Sequence, residues 1–343
     1  MVSILPFGQP KTMPMNSRTA SMVLQAISKI SSMTIRISLP APEPEDFIFR
    51  SILQIFLIFL IPSIRSMNGC RVLINQTEKG AGNTSYSFPC LKMKFNIIMI
   101  GCGGTGGCLF GRFIRFLADS YLPDTEISYS IVDGDHVELK NLGRQPFVTE
   151  DIGCNKAVSL ATAAEETLGV HVNAYPEYMS EKNYLGLVRH FDIYGYQTVN
   201  ILIGAVDNHA CRKLMHDIFI NHMGTNCCFY IDAANEYSSG DVVFAKKQNQ
   251  EIQAPDRCHY YPEVLTDQEK PVYEKSCEEL NISSPQHLAT NSLAADIIFS
   301  YLTQIITAGT AATLAPGGIA YFDAFHFFSR FDPYNEARYG KIG

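Results

Sequence analysis

The sequence predicts an α/β protein whose sheet is mainly parallel, doubly wound and covered by helices on both faces, with an antiparallel extension. The first observation is a short, apolar, β-rich run over residues 95–100 that ends in glycines and precedes a helical pattern. The second is the alternation of further strand and helix patterns, which is typical of a parallel sheet buried on both faces. The third is a pair of β-rich runs joined by the turn-like Ser238-Ser239-Gly240, which predicts the antiparallel part.

The predicted elements follow in a regular order from residue 95 onward. Leu109, Phe113, Phe116 and Leu117 mark the apolar face of the first helix, and alanines and glutamates, which favour helix, mark the second. Strands are predicted over residues 95–100, 127–132, 171–174, 200–205, 229–233, 241–245 and 317–324. Helices are predicted over residues 108–118, 155–168, 209–222 and 288–307. This alternation is that of a Rossmann-like, doubly wound sheet.

Composition and charge narrow the class of protein. The chain has 343 residues, of which 46% are hydrophobic and 18% charged, which suits a globular protein of one large domain or two. The formal net charge of −7 and the lack of a long basic run argue against a nucleic-acid-binding face. None of the 10 cysteines forms a C-x-x-C pair, so we expect no structural zinc. We interpret the cysteines as reduced thiols of a cytoplasmic protein.

Residues 1–92 are predicted to be an atypical N-terminal extension, and residues 93–343 the domain itself. The extension is rich in Ser, Met, Ile and Pro, and its periodicity is poor. Residues 47–64 are strongly apolar, but Arg50 and Pro62 leave an uncharged core shorter than the ~20 residues of a membrane span. Three interpretations stay open: a membrane anchor, a buried or poorly ordered extension, and residues upstream of a true start at Met93. We favour the last two and expect no membrane association.

A glycine loop follows the first predicted strand. Gly101, Gly103 and Gly106 fit the pattern G-x-G-x-x-G, and Gly104 adds a fourth glycine. Glycines permit a tight turn and a close approach to phosphate, and the following helix start offers free N–H groups. Asp133 ends the second strand, where a carboxylate accepts both ribose hydroxyls. The loop alone does not separate NAD, FAD, S-adenosylmethionine and ATP, and a glycine turn without a ligand is the alternative.

A polar cluster after the second strand favours a nucleoside triphosphate. Asn141, Arg144 and Gln145 lie within five residues of one another. The planar guanidinium suits phosphate oxygens, and the two amides add neutral donors. Lys156 begins a helix from which its ammonium can reach back to the phosphates. Asp207 ends a central strand, where a carboxylate is well placed to hold Mg²⁺.

Four motifs in chain order carry a resemblance to a known family. They are G-C-G-G-T-G at 101–106, D-G-D-H-V-E-L-K-N-L-G-R-Q at 133–145, G-C-N-K-A at 153–157 and D-N-H-A-C-R at 207–212. On these motifs the sequence resembles the ThiF/MoeB/ubiquitin-activating-enzyme family over roughly residues 94–310. The second motif is the most specific of the four. Residues 276–279 and 291–295 resemble a weaker signature of the family.

The resemblance implies an ATP- and Mg²⁺-dependent adenylyltransferase that works as a homodimer on the C-terminal carboxylate of a ubiquitin-like or sulfur-carrier protein. It implies that Arg144, Lys156 and Asp207 are catalytic, with Asp207 as the Mg²⁺ ligand. The implied nucleotide contacts are Gly101, Gly103, Gly104, Gly106, Asp133, Asp135, Asn141 and Gln145. Arg212 is expected to brace the Asp207 loop, and the alternative is a solvated helix arginine.

Two cysteines are candidates for a nucleophile that receives the activated acyl group. Cys258 stands in the polar stretch P-D-R-C-H, whose arginine and histidine would lower its pKa. Cys277 has glutamates beside it but belongs to a stretch that resembles the family. A structural thiol is the alternative for both.

Three other functions stay open. An oxidoreductase using NAD or FAD explains the glycine loop and Asp133 but leaves Arg144, Gln145 and Lys156 unexplained. A related enzyme could activate a non-protein carboxylate instead. The third alternative is a non-catalytic relative that kept only the fold. Its buried charges would then lower the stability of the fold without serving catalysis.

Overall fold

The computed structural model of the protein describes residues 34–39, 71–76, 93–122, 125–187, 197–223, 227–268, 270, 287–309 and 315–342. The chain divides into two compact units, Met1–Cys90 and Leu91–Gly343. In the first unit, strands β1 (Thr34–Leu39) and β2 (Arg71–Gln76) pair in parallel. The apolar residues 47–64 lie outside the described residues. Within the described ranges, no helix has both the length and the apolar character needed to cross a membrane.

The second unit is built around one mixed sheet. Its strands are β3 (Met93–Ile100), β4 (Thr125–Val132), β5 (Asn173–Tyr175), β6 (Gln197–Gly204), β7 (Cys227–Asn235), β8 (Ser239–Gln248), β9 (Glu251–Ala254), β10 (Gly318–Asp323) and β11 (Phe328–Pro333). They lie in the order β11-β10-β8-β7-β6-β3-β4-β5, and β9 pairs with β8. The pairs among β3 to β7 are parallel. The pairs that involve β8 to β11 are antiparallel.

Helices cover both faces of this sheet. They are α1 (Gly104–Asp119), α2 (Lys156–Leu168), α3 (Tyr184–Leu187), α4 (His209–Asp217), α5 (Arg257–Tyr260), α6 (Glu263–Thr266), α7 (Leu288–Ala308) and α8 (Glu336–Tyr339). Alternate residues of β3 supply the two cores, because successive side chains of a strand point to opposite faces. Phe95, Ile97 and Met99 pack in a cluster with α1, α2 and α7. Ile98 and Ile100 pack in a second cluster with α4.

The order of the parallel strands confirms the predicted fold class. The run β5-β4-β3-β6-β7 is 3-2-1-4-5 when it is counted from β3, which is the doubly wound, Rossmann-like order. The chain changes direction across the sheet between β3 and β6. In open α/β sheets a ligand binds beyond the carboxyl ends of the strands at such a switch point. A ligand site is therefore expected at the residues that follow β3 and β6.

The predicted helix over residues 209–222 is confirmed, but its last part is not α-helical. The α-helix ends at Asp217, and a π-type turn covers Ile218–His222. The buried ammonium of Lys247 donates hydrogen bonds to the carbonyls of Phe219 (2.7 Å) and Ile220 (3.1 Å). The donor to these carbonyls is thus a lysine of β8. The sequence pattern of residues 209–222 alone does not reveal this contact.

The sequence patterns did not predict the first turn of α1, four strands (β1, β2, β9 and β11) or four one-turn helices (α3, α5, α6 and α8). The edge strand β11 is exposed over most of its length, and β9 has only four residues. The residues of β11 lack the alternation of apolar and polar residues that marks a strand, whereas β9 shows it over only four residues. Helix α1 begins at Gly104, four residues before the predicted start, because its first turn is made of the loop glycines and Thr105.

Candidate active site

Three loops meet beyond the carboxyl ends of β3, β4 and β6. The Gly101 amide donates to the carbonyl of Val132, and the Ala205 amide donates to the carbonyl of Ile100, each at 2.9 Å. The two bonds tie the end of β3 to the ends of both neighbours. Because the three strands are adjacent and parallel, the glycine loop, Asp133 and Asp207 lie at one edge of the sheet.

The glycine loop is packed so closely that side chains are excluded from most of it. Gly101 has φ of +97°, and a Cβ there would lie 2.5 Å from the carbonyl oxygen of Ala205. A Cβ on Gly104 would overlap the amide of Asn291. A Cβ on Gly103 would instead be tolerated, because it would lie in ordinary van der Waals contact, 3.7 Å from the Gln145 amide nitrogen. No side chain caps the start of α1, so its first N–H groups are available to an anion.

Gly106→Ala is expected to destabilise the protein by about 1–3 kcal/mol, the usual cost of overpacking. The added Cβ would overlap the carbonyl oxygen of Gly101 and lie 2.9 Å from its carbon. Gly111→Ala on the same helix is the matched control, because the nearest atom to its Cβ is the mobile end of Arg115 at 3.4 Å. That control should be neutral or stabilising by up to ~1 kcal/mol. Chemical denaturation measures both, and equal effects of the two variants would contradict the packing argument.

Asp133 holds the glycine loop with the same carboxylate that was predicted to bind ribose. Its Oδ2 accepts a hydrogen bond from the Cys102 amide at 2.6 Å, and its Oδ1 accepts one from the Asp135 amide at 2.8 Å. Burial raises the pKa of Asp133, and the Asp135 carboxylate acts in the same direction, against the Lys156 ammonium and the two N–H groups. An ionised carboxylate has about four acceptor positions, so acceptor capacity remains for hydroxyl groups.

Lys156 and Asp135 form an ion pair at the start of α2. The Lys156 ammonium is buried and lies 2.8 Å from Oδ2 of Asp135. Tyr178 donates its hydroxyl to the other oxygen, Oδ1. Burial by itself would raise the pKa of Asp135, but the Lys156 charge and the hydrogen bonds from Lys156 and Tyr178 lower it overall. The pair therefore keeps a cation beside the glycine loop in a fixed position.

The lowered pKa predicts how this pair stabilises the fold across pH. A carboxylate whose folded pKa lies below its unfolded value, about 3.9, stabilises the protein above that value and loses the contribution as pH falls through the folded pKa. Asp135→Asn should therefore lower the unfolding temperature at pH 6, and its difference from the unmodified protein should shrink below pH ~4. Thermal unfolding at several pH values tests this, with Asp296→Asn, in an exposed pair with Arg112, as the control. A difference that does not change with pH would contradict it.

The segment after β4 contributes Asn141, Arg144 and Gln145. Asn141 is buried, and its Oδ1 accepts a hydrogen bond from the Glu138 amide at 2.8 Å, so its oxygen shapes the turn itself. Arg144 is half-buried, and its guanidinium pairs with no group in the part of the chain that the structure describes. The buried Oε1 of Gln145 also finds no partner among the described residues. Such an orphaned acceptor costs about 1–3 kcal/mol, which fits a site that a polar ligand completes.

Asp207 and Arg212 follow β6 and play different parts. The Asp207 side chain is exposed at the edge of the sheet. Arg212 is buried, and its Nη2 donates to the carbonyls of Val206 (2.7 Å) and Ala233 (3.1 Å). Its Nε lies 3.3 Å from the buried carboxylate of Asp232. The predicted brace of the Asp207 loop is confirmed, and the solvated helix arginine is wrong.

Helix α7 reaches the glycine loop through a network of side-chain amides. The buried Asn291 accepts hydrogen bonds at Oδ1 from the Thr105 hydroxyl at 3.1 Å and from the Asn235 amide at 3.0 Å. Asn235 also donates to the Thr105 hydroxyl at 2.7 Å. Residue 291 begins the weaker stretch singled out in the sequence. The network fixes the start of α1 against β7 and α7.

The sequence that builds this site can be compared directly with sequence models of protein families. A sequence model of the ThiF family matches residues 92–336. The chain belongs to the ThiF family. No curated protein matches the sequence.

Solved structures similar to this ThiF family member include PaaA and E. coli MccB. PaaA is 18% identical, with a TM-score of 0.47 over 69% of this chain and 72% of that one. MccB solved with succinimide is 14% identical, with a TM-score of 0.45 over 69% of this chain and 63% of that one. MccB solved with ATP is 16% identical, with a TM-score of 0.43 over 69% and 62%. The chain thus spans less than two thirds of the length of these MccB chains.

The two candidate nucleophiles of this ThiF family member have different outcomes. The expectation that basic neighbours lower the pKa of Cys258 is wrong. The thiol is buried, and burial together with the carboxylates of Asp256 and Asp232 raises its pKa despite the nearby Arg257. The Arg257 guanidinium is committed elsewhere, to Asp232 and Asp241. Cys277 lies outside the described residues.

Sequence reasoning missed two residues that support the site. Asn155 caps α2 through its Oδ1, and its Nδ2 donates to the carbonyls of Asp133 at 2.8 Å and Asp135 at 3.1 Å. Tyr178 holds Asp135 from the segment after β5. Asn155 was recognisable as a helix cap. Tyr178 follows a strand parallel to β4, so its place past a carboxyl end was a usable signal.

Proposed function

We propose that residues 93–343 form an adenylation domain that uses ATP to activate a terminal carboxylate as an acyl-adenylate. The observation that carries this proposal is the meeting of three features at the switch point of the sheet. They are an uncapped glycine loop, the buried Lys156 in its pair with the half-buried Asp135, and the exposed Asp207. Membership of the ThiF family supports adenylyl transfer as the reaction. A simple dinucleotide site accounts for the loop and Asp133 but has no use for a buried ammonium beside them.

The nucleotide contacts follow from the groups at the site. The N–H groups at the start of α1 would donate to phosphate oxygens, with Gly101, Gly103, Gly104 and Gly106 letting the backbone approach. Asp133 would accept the ribose hydroxyls, and Asp135 would hold Lys156 beside the phosphates. Asn141, Arg144 and Gln145 would complete the triphosphate pocket. Gln145 carries both a donor and an acceptor, and a nucleotide offers phosphate oxygens for the first and hydroxyls for the second.

Asp207 is the residue we propose as the ligand of Mg²⁺. It is an exposed carboxylate at the end of a central strand, and Mg²⁺ in nucleotide sites is held by one or two carboxylates together with phosphate oxygens. A bound Mg²⁺ would neutralise charge on the phosphates. The bonds from Arg212 to Val206 and Ala233 hold the strand ends on either side of this loop, which keeps the carboxylate in place.

The proposed reaction needs no nucleophile from the protein. An oxygen of the substrate carboxylate attacks the α-phosphorus of ATP, the bond to the bridging oxygen breaks, and pyrophosphate leaves with the bonding electrons. The protein aligns the two substrates and stabilises the negative charge that grows on the phosphates. Lys156 and Arg144 are the cations available for that task.

The proposed substrate is the C-terminal carboxylate of a ubiquitin-like or sulfur-carrier protein, and the proposed active form is a homodimer. Both follow from the resemblance of the four motifs. A free small carboxylate would use the same chemistry, and the choice between the two is left to the assay.

The assay is ATP–pyrophosphate exchange by the full chain with a panel of ubiquitin-like and sulfur-carrier proteins. Exchange that depends on one carrier, and that stops when its C-terminal carboxylate is converted to an amide, is the expected result. Exchange with small carboxylates alone would replace the proposed substrate but keep the reaction. Tight NADH binding without ATP binding would overturn the proposal and favour an oxidoreductase.

A further inference from the structure

Three metal-binding types of side chain converge between α4 and the segment after β9, away from the nucleotide contacts. They are an imidazole in the last turn of α4, His216, and the pair Asp256 and Cys258 around the start of α5. Nδ1 of His216 lies 2.6 Å from Oδ2 of Asp256. The ligating atoms of all three side chains lie within 4.8 Å of one another. In this arrangement one ion could reach all three after small side-chain rotations.

The three side chains are enclosed. Asp256 is 3% exposed and Cys258 is 6% exposed, and His216 is half-buried. Imidazole nitrogen, thiolate sulfur and carboxylate oxygen are the donors that Zn²⁺ takes in proteins, and three protein ligands leave one tetrahedral position for water. Mg²⁺ and Ca²⁺ prefer oxygen ligands alone. The donor set therefore selects a transition metal of the zinc class.

The orientation of Asp256 is a second observation that favours a ligand. Asp256 is the N-cap residue of α5, the place where an aspartate normally accepts a hydrogen bond from the helix. Its side chain makes no such bond and is turned to His216 instead. The carboxylate thus gives up a local cap in order to face the imidazole and the thiol.

We propose that His216, Asp256 and Cys258 form a mononuclear site for a transition metal ion of the zinc class. On binding, the Cys258 thiol releases its proton to solvent, as does His216 when its imidazole is protonated. The resulting thiolate and carboxylate balance the charge of the divalent ion. The lack of C-x-x-C pairs predicts no zinc, but this ligand set does not use that spacing, since His216 lies 40 residues from Asp256.

The site would fasten α4 to the loop that enters α5. Helix α4 begins directly after Asp207 and Asn208, and Asn208 caps it through the Cys211 amide at 2.8 Å. Arg257, between the two ligands of the loop, forms the buried pair with Asp232. A metal here would therefore stabilise α4, which follows Asp207, and the loop that carries Arg257. It would not contact the nucleotide. The proposal stands independently of the adenylation chemistry.

Cobalt substitution tests the site in the full chain. The purified protein is freed of metal with a chelator and titrated with Co²⁺, and absorption is followed in the near ultraviolet and the visible. We expect thiolate-to-cobalt charge transfer and tetrahedral bands that saturate at one equivalent. Cys258→Ser should abolish the charge transfer, and His216→Ala should weaken the apparent affinity by at least about 10-fold. Cys154→Ser and His171→Ala, at exposed positions, are the matched controls and should change neither.

A second measurement keeps the test decisive if a variant unfolds. Zn²⁺ should raise the unfolding temperature of the unmodified protein, and Asp256→Asn should lose that increase. A folded protein that shows no thiolate charge transfer overturns the proposal. Charge transfer that Cys258→Ser leaves unchanged also overturns it, because the ion then binds another cysteine. In either case the cluster is an ordinary His216–Asp256 ion pair beside a buried thiol.

Discussion

Lys156→Ala is expected to reduce ATP–pyrophosphate exchange by about 100- to 1,000-fold, the usual loss when one preorganised charge-stabilising group is removed from an active site. The ammonium is buried beside the glycine loop and pairs with Asp135, whose other oxygen accepts a hydrogen bond from Tyr178. It is therefore oriented before any ligand binds, whereas Arg144, the other cation proposed for the pocket, has no such partner among the described residues. Exchange rates at saturating and limiting ATP measure the effect on turnover and on binding separately.

The control for this prediction lies at the opposite edge of the sheet. Lys94 pairs with Glu126 at 2.6 Å where the neighbouring strands β3 and β4 begin, so Lys94→Ala also breaks a lysine–carboxylate pair. It should leave exchange unchanged, and its unfolding temperature shows what the loss of such a pair does to stability. If Lys156→Ala loses activity only in proportion to its loss of folded protein, the role proposed for the ammonium is wrong.

Asp207→Ala is expected to lower exchange at millimolar Mg²⁺ by a similar factor, about 100- to 1,000-fold, with little effect on folding. The side chain is exposed and supports no described neighbour, whereas Arg212 holds the loop through backbone carbonyls that the substitution keeps. The structural brace and the proposed metal ligand are therefore separable. Partial recovery of exchange as Mg²⁺ is raised would indicate weakened metal binding.

Glu126→Gln is the matched carboxylate control, because this residue lies at the start of β4, far along the strand from Asp133. It should show the Mg²⁺ dependence of the unmodified protein. An Asp207→Ala variant whose exchange rate and Mg²⁺ dependence are both normal would rule out this residue as the metal ligand. If the Asp207→Ala variant no longer binds ATP and has also lost its folded structure, the side chain is needed for the stability of the loop instead.

The fold was largely predictable because strand and helix patterns alternate and both faces of the sheet are buried. The near-continuous apolar run of β3 and the glycines after it identify the first strand and loop of the large sheet without any tertiary information. Two features of the fold could not be predicted, one because it depends on a distant contact and one because it is exposed. The π-type turn at Ile218–His222 is satisfied by Lys247, and the edge strand β11 is too exposed to show a pattern.

The site was predictable where its residues lie in short motifs and unpredictable where their partners come from elsewhere. Asp135 and Lys156 stand in two neighbouring motifs, but the hydroxyl of Tyr178 comes from beyond β5. The expected direction of the Cys258 pKa is wrong because burial and the carboxylates of Asp256 and Asp232 outweigh the adjacent arginine. Arg257 is adjacent in the chain, yet its charge is already neutralised by Asp232 and Asp241.

The contact between Asn291 and the glycine loop has a consequence for the order of events during synthesis. The loop at residues 101–106 leaves the ribosome long before α7, which carries Asn291 and begins at residue 288. Until that helix emerges, Thr105 and the space beside Gly104 lack the amide that fills them. A nascent chain halted before α7 should therefore retain the strand and glycines of a nucleotide loop but not its final shape. We therefore expect the glycine loop to reach its final shape only late in the maturation of this chain.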